Sequence, residues 1–293
     1  METISGMIFR HWGVPVIMIY IDARQGRALT CAIALMCPVF QAPLSSSARS
    51  MLARSVQIEE TTIRILSYKI KHGQGMDEDV QVERAARLVN ELEPDLVALQ
   101  EIDNGVRRPG GVDQAARLGE WTDMHAVFGE FMHYQGGQYG VALLSKFPFM
   151  ETVNHRLPPG AEPRSALAAR VAIGASGVEI ILAGIHRYRT AGERYAQAVR
   201  RVEILEQESP AVILTGAFNS TPGSDVIRLL GESWTTTGKG ADNLTFPSTD
   251  PRREIDCIMD RPRDRFEVLE QRVIDEPLVS DHRPVLLVLR VRR

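Results

Sequence analysis

The stretch Asp95-Leu96-Val97-Ala98-Leu99-Gln100-Glu101-Ile102-Asp103 passes from an unbroken apolar run into polar residues. Pro94 stands just before it, and the run is too short for a buried helix. It reads as a strand covered on both faces, with a tip that emerges where polar groups can act. A strand covered on both faces needs a layer of chain over each side. That requirement points to a layered α/β protein.

Working outward, Thr62–Ile70 (TIRILSYKI) is a second β-branched and aliphatic strand. Between the two, Asp77–Leu92 places Ala85, Leu88, Val89 and Leu92 on one helical face, and Pro94 stops that helix. Downstream, a helix over Gly192–Gln207 separates strands at Val178–Ile185 and Ala211–Gly216. Shorter strands are expected at Ala126–Phe128, Val141–Ser145, Ala166–Ile173, Ile255–Met259 and Val285–Val291. Gly136–Gly140 and Pro158–Pro163 read as loops, as do Gly129–Gln138 and Gly238–Asp250, which carry no recognisable motif. No repeat is visible, which excludes solenoids and propellers. Many strands with few long helices suggest two sheets packed face to face with helices outside. Periodicity alone does not separate that arrangement from a doubly wound sheet.

The 293 residues are 44% hydrophobic and 24% charged, a composition that excludes wholesale disorder. The formal charge of -3 shows no basic excess, so nucleic acid is not the favoured partner. Cys31, Cys37 and Cys257 have no metal-type spacing, and Cys257 is expected as a lone buried thiol. Arg24 and Arg27 precede an apolar run from Ala28 to Phe40, then Ser45-Ser46-Ser47-Ala48. This is the pattern of a secretory signal, with Met18 as the start that fits it best. The run is short for a membrane span. Residues 1–48 are therefore expected to be a signal peptide or N-terminal extension, 49–60 a linker, and 61–293 one domain. The mature chain is expected outside the cytoplasm, without a transmembrane segment. Oligomeric state has no signature here.

Polar residues recur where strands end. Glu101 closes ALQE, His186 closes LAGIH, Asn219 follows LTGAFN, Asp256 lies in EIDCIM, and Asp281-His282 stand in SDHRPV. Singly, each is ordinary: a surface carboxylate, a turn cap, a satisfied histidine. As an ordered series they resemble the endonuclease/exonuclease/phosphatase superfamily, which includes DNase I-like nucleases, neutral sphingomyelinases and inositol-polyphosphate phosphatases. The resemblance runs from Ile63 to Leu289 through VALQEID, RSAL, TGAFNSTPGS, REIDCIM and SDHRPV. It implies a four-layer α/β/β/α sandwich, two packed mixed sheets with outer helices, and a site where strands of both sheets end.

The same resemblance implies phosphoester chemistry, in which water is placed in line and charge on the phosphoryl oxygens is stabilised. Glu101 and Asp281 would ligate Mg²⁺ or Mn²⁺, ions that take hard oxygen ligands and need only one or two carboxylates. The expected catalytic set is His186, Asn219, Asp256 and His282. His282 would contact phosphate or activate water, oriented by Asp256, while His186 would touch phosphate and Asn219 would donate to its oxygens. Arg164 and Lys69 would bind the substrate phosphate. His72, His125, His133 and His155 have no such context.

Five positions, in four signatures, depart from the pattern. Lys69 in SYKIKHG stands where the family has asparagine, Ala217 in GAFN replaces aspartate, Val141 in YGVALLS replaces asparagine, and Ile185 and Arg187 flank the histidine of IHR. Loss of the aspartate removes a general base worth about 10²–10⁴-fold. An ammonium about 4 Å from a divalent ion is repelled by roughly 8 kcal/mol at an effective dielectric of about 20. Lys69 would therefore turn away, weaken metal binding, or replace part of the metal's charge. Two functions are expected: a metal-dependent phosphoester hydrolase of reduced activity, or an inactive descendant that binds a phosphorylated ligand or protein through the same cleft. Lipid, nucleic acid and small phosphate esters all suit the motifs.

Overall fold

The computed structural model describes residues 61–293 apart from 109, 175–176, 188–189, 209, 237–242 and 293, together with two short segments nearer the start. Those segments, Tyr20–Ile21 (β1) and Ala28–Leu29 (β2), pair antiparallel. Otherwise the expected signal and linker lie outside the described residues. The second compact unit, Ile58–Arg293, carries everything that follows.

Its strands are Thr61–Lys69 (β3), Leu96–Asn104 (β4), His125–Tyr134 (β5), Gly137–Ser145 (β6), Phe149–Arg156 (β7), Ser165–Ile173 (β8), Val178–His186 (β9), Ala211–Ala217 (β10), Thr235–Thr236 (β11), Asp256–Arg261 (β12), Phe266–Val273 (β13) and Val285–Val291 (β14). The helices are Glu83–Leu92 (α1), Gln114–Thr122 (α2), Ala191–Leu205 (α3) and Asp225–Gly231 (α4). One six-stranded sheet runs β13-β14-β3-β4-β6-β5, and the other runs β11-β12-β10-β9-β8-β7. Both sheets mix parallel and antiparallel pairs.

Alternation along the strands builds the four layers. Ile63, Ile65, Leu96 and Ala98 of the first sheet face Ile180, Leu182, Ile213 and Ile258 of the second in one core between the sheets. Their neighbours Leu66, Tyr68, Val97 and Leu99 pack outward on α1 and α2. On the other side Ile181, Ala183, Val212 and Leu214 pack on α3 and α4, with buried Cys257 among them. Period-two side chains leave no other way to cover both faces of both sheets. Each buried Leu or Ile contributes about 1.5–3 kcal/mol relative to exposure. Gly184 lets the sheets approach: a Cβ there would sit 2.8 Å from Leu143 Cδ2.

Several boundaries differ from those expected. α1 begins at Glu83 rather than Asp77, because the preceding stretch is held by Gln74–Val80 bridging and by Met76 N–H donating to the Leu278 carbonyl. Gly137–Gly140 belongs to β6 and Gly129–Tyr134 to β5, where the sequence suggested loops. Glycine is required there by crowding, since a Cβ on Gly140 would lie 2.0 Å from the Gly129 carbonyl oxygen. β7, β13, α2 and α4 were not expected.

Candidate functional site

Topology gathers the site. β3 and β4 run parallel, as do β9 and β10, and all four end at the same edge of the sandwich. β12 and β14 are antiparallel to their neighbours and begin there, with Asp256 opposite Ala217 and Val285 opposite Ser67. The inward-facing rows that form the core between the sheets continue outward into Lys69, His186, Ala217 and Asp256. They share parity with Ile65, Leu182, Ile213 and Ile258 respectively. Core residues and site residues are thus consecutive positions on the same faces.

A cleft of about 620 Å³ opens at this edge, and Lys69, Glu101, Arg164, His186, Asn219, Asp281 and His282 all line it. Of the expected set, Asp256 alone lies behind the wall, where its Oδ2 is 2.8 Å from His282 Nδ1. Both of these side chains are 4% exposed. The carboxylate accepts from Nδ1–H, which leaves Nε2 as the ring's second nitrogen. Phe246 packs its ring 4.8 Å from that imidazole.

Glu101 reaches the cleft through a β-bulge in β4, between Gln100 and Ile102, with φ of 61°. A left-handed glutamate costs free energy, and the bulge turns the side chain out of the strand's alternation. Lys69 does not turn away. Its Nζ lies 2.9 and 3.1 Å from the two Asp281 oxygens and 3.2 Å from Glu101 Oε1. Burial pulls the Lys69 ammonium toward deprotonation, but Glu101 and Asp281 outweigh it and hold its pKa above the usual value. Asp281 also resists burial: the Lys69 charge, with His282, keeps its carboxyl below the ordinary range. Both partners are therefore charged at neutral pH.

His186 is 5% exposed, with Nε2 3.8 Å from Glu101 Oε1. Burial, with Arg164, Lys69 and His282 adding repulsion, holds its pKa well below the usual histidine value, so the ring is neutral at pH 7. Asn219 adopts φ of 50°, tolerable for asparagine, and its amide donates to the Arg187 carbonyl at 2.8 Å. One N–H of that amide thus anchors the loop, and one is left for a ligand. Arg164 pairs with Glu162 at 2.5 Å and lies over the Phe131 and Tyr139 rings at 5.2 and 5.7 Å.

Where the family pattern has polar side chains, this chain has apolar ones. Ala217 is fully buried at the end of β10, and Val141 is absorbed into the core between the sheets. Gly216 before it has φ of 145°, and a Cβ there would meet the Ile185 carbonyl oxygen at 2.0 Å. Sequence reading missed Lys71, His72, Tyr139, Arg194, Phe246 and Arg253, which also line the cleft. Lys71 and His72 lie just beyond the β3 tip, and that adjacency was the available signal. Burial and the Arg108 charge hold His72 down at about 4. Five Lys and Arg side chains face three carboxylates across the lining, which suits an anion.

A divalent ion bound by Glu101 and Asp281 would need oxygens at about 2.0–2.1 Å for Mg²⁺. Those oxygens already surround the Lys69 ammonium. Among the described residues no group of three or more His, Cys, Asp and Glu side chains is arranged to hold a metal ion. The residues present do not fit a divalent cation in this arrangement.

Two mixed sheets in an α/β/β/α sandwich bring imidazoles, an amide and cations together at one edge. The chain belongs to the Endonuclease/Exonuclease/phosphatase family, whose model matches residues 66–282. It is a family of phosphoester hydrolases, typically divalent-metal dependent. Solved structures share the fold. An endonuclease/exonuclease/phosphatase from Beutenbergia cavernae is 21% identical, covering 79% of this chain and 72% of its own, with a TM-score of 0.64. A mannosyl-6-phosphatase from Bacteroides thetaiotaomicron is 18% identical over 78% of this chain and 99% of its own, with a TM-score of 0.64. The catalytic domain of human Nocturnin with a bound sulfate is 19% identical over 79% and 95%, with a TM-score of 0.61.

Proposed function

We propose that this cleft binds a phosphate ester and that hydrolysis in it is greatly reduced. The observation that carries the reading is the buried methyl of Ala217 where the family has a carboxylate, two residues before Asn219 of a cleft whose lining is cationic overall. Binding needs donors and positive charge, and Arg164, Lys69, Asn219 and His282 offer both. Turnover also needs an oriented water, and loss of its base costs about 10²–10⁴-fold. The retained His282–Asp256 pair supports slow residual turnover over a wholly noncatalytic binder.

The test is binding and turnover of bis(4-nitrophenyl) phosphate by the unaltered chain, Ala217→Asp, and Ala217→Asp combined with Lys69→Asn, each with Mn²⁺. The reading expects the unaltered chain to bind the diester and barely turn it over, with release of nitrophenolate rising in the double variant. Turnover by the unaltered chain as fast as by the double variant would overturn it. So would absence of binding.

A further inference from the structure

We propose that the Lys69 ammonium is a built-in replacement for the divalent cation, so that this cleft takes phosphate esters without any metal. The inference rests on the phosphate-ester reading above and concerns how that site obtains its positive charge.

Lys69 is 7% exposed and sits at the end of the row of side chains that begins with Ile63 and Ile65, so its stem emerges from the core between the sheets. Ser280 fixes the strand tip from behind, its hydroxyl donating to the Lys69 carbonyl at 2.6 Å. The head group is therefore directed at one point, between Glu101 Oε1 and both Asp281 oxygens.

An ammonium has three N–H donors. One engages Glu101, and one is shared between the Asp281 oxygens, which leaves a third for a ligand oxygen. A divalent ion bound by the same carboxylates would crowd a fixed cation and be repelled by it. Conversely, an ion is not required to keep Glu101 and Asp281 from repelling each other, because Lys69 already does so. Arg164 and His282 line the same cleft and supply donors to other oxygens of a tetrahedral anion. Glu162 and the two carboxylates make the site selective, since an anion gains only where it reaches a donor.

Binding of bis(4-nitrophenyl) phosphate, followed by calorimetry, separates the outcomes. The chain as it stands is expected to bind the diester equally in EDTA and in Mn²⁺, and water-proton relaxation is expected to show no Mn²⁺ held at the site. Lys69→Asn, shown to be folded by its urea midpoint, is expected to lose affinity in EDTA by about tenfold or more, equivalent to about 1.4 kcal/mol. The same variant is expected to gain Mn²⁺ binding and to recover affinity with it. Diester binding by the unaltered chain only when Mn²⁺ is present would overturn the metal-free assignment while leaving the phosphate-ester reading intact. Undiminished binding by Lys69→Asn in EDTA would do the same. No diester binding in either condition would remove the phosphate-ester reading, and this inference with it.

Discussion

His282 Nδ1 and Asp256 Oδ2 lie 2.8 Å apart, on a loop and a strand that are 26 residues apart in sequence, and both side chains are 4% exposed. A buried carboxylate hydrogen-bonded to a ring nitrogen selects one tautomer. Asp256→Asn would present a donor to Nδ1 and switch the proton to Nε2. The expected result is a reversed tautomer in ¹⁵N NMR of the imidazole and a loss of about 1–3 kcal/mol in urea unfolding. An unchanged tautomer would mean that the pair does not orient the ring.

His186 is expected to remain neutral well into acid. Burial dominates its shift, and the surrounding cations add to it. Its imidazole resonances should therefore stay constant as pH falls from neutral through the ordinary histidine value of about 6.5. A midpoint for His186 near that value would show that water reaches the ring.

Asp260 predicts a pH dependence with a definite sign. It is 1% exposed on β12, and burial pushes its carboxyl up to about 7 against the pull of a Thr235 hydrogen bond. The folded pKa exceeds the unfolded one, so the folded state binds the proton more tightly. Its contribution is fully present below the unfolded value of about 4 and is lost as pH rises through about 7. Stability should fall by an amount on the order of 4 kcal/mol across that window. Asp260→Asn should flatten the dependence, measured by urea midpoints at both ends.

Arg187, just past the end of β9, and Arg201 on α3 are fully buried beside Phe218, 4.8 and 5.5 Å from its ring. Three nitrogens of each guanidinium lack a hydrogen-bond partner among the described residues. Two uncompensated cations so close together oppose folding. Arg201→Met keeps the stem's volume and removes one charge, and is expected to raise stability by about 1–3 kcal/mol. Thermal or urea unfolding decides it, and a destabilised variant would mean that a counter-charge is present.

What was legible in the sequence follows from where each strand sits. The central strands β4, β9, β10 and β14 are covered on both faces, so their apolar runs stand out, and their ends could be read closely. β7 and β13 lie at the outer edges of the two sheets, and β13 carries Glu267, Glu270 and Arg272. Edge strands with solvated charge do not announce themselves as strands, because that charge is what keeps them from pairing with other chains. Most site residues were readable for a related reason: they end legible strands. Lys71 and His72 enter the cleft from a single 3₁₀ turn and Arg253 from a loop, segments too short for a period to mark a direction. The conduct of Lys69 was written in no motif, because it depends on the loop carrying Asp281 folding back across 212 residues.

That return path has a consequence for how the protein is made. β14 inserts between β13 and β3, so the first strand of the domain to leave the ribosome gains its second neighbour from nearly the last. Loop closure of that length slows folding. Until residues 285–291 are released, one side of β3 stays open to unwanted partners, and the nascent domain needs shelter rather than speed.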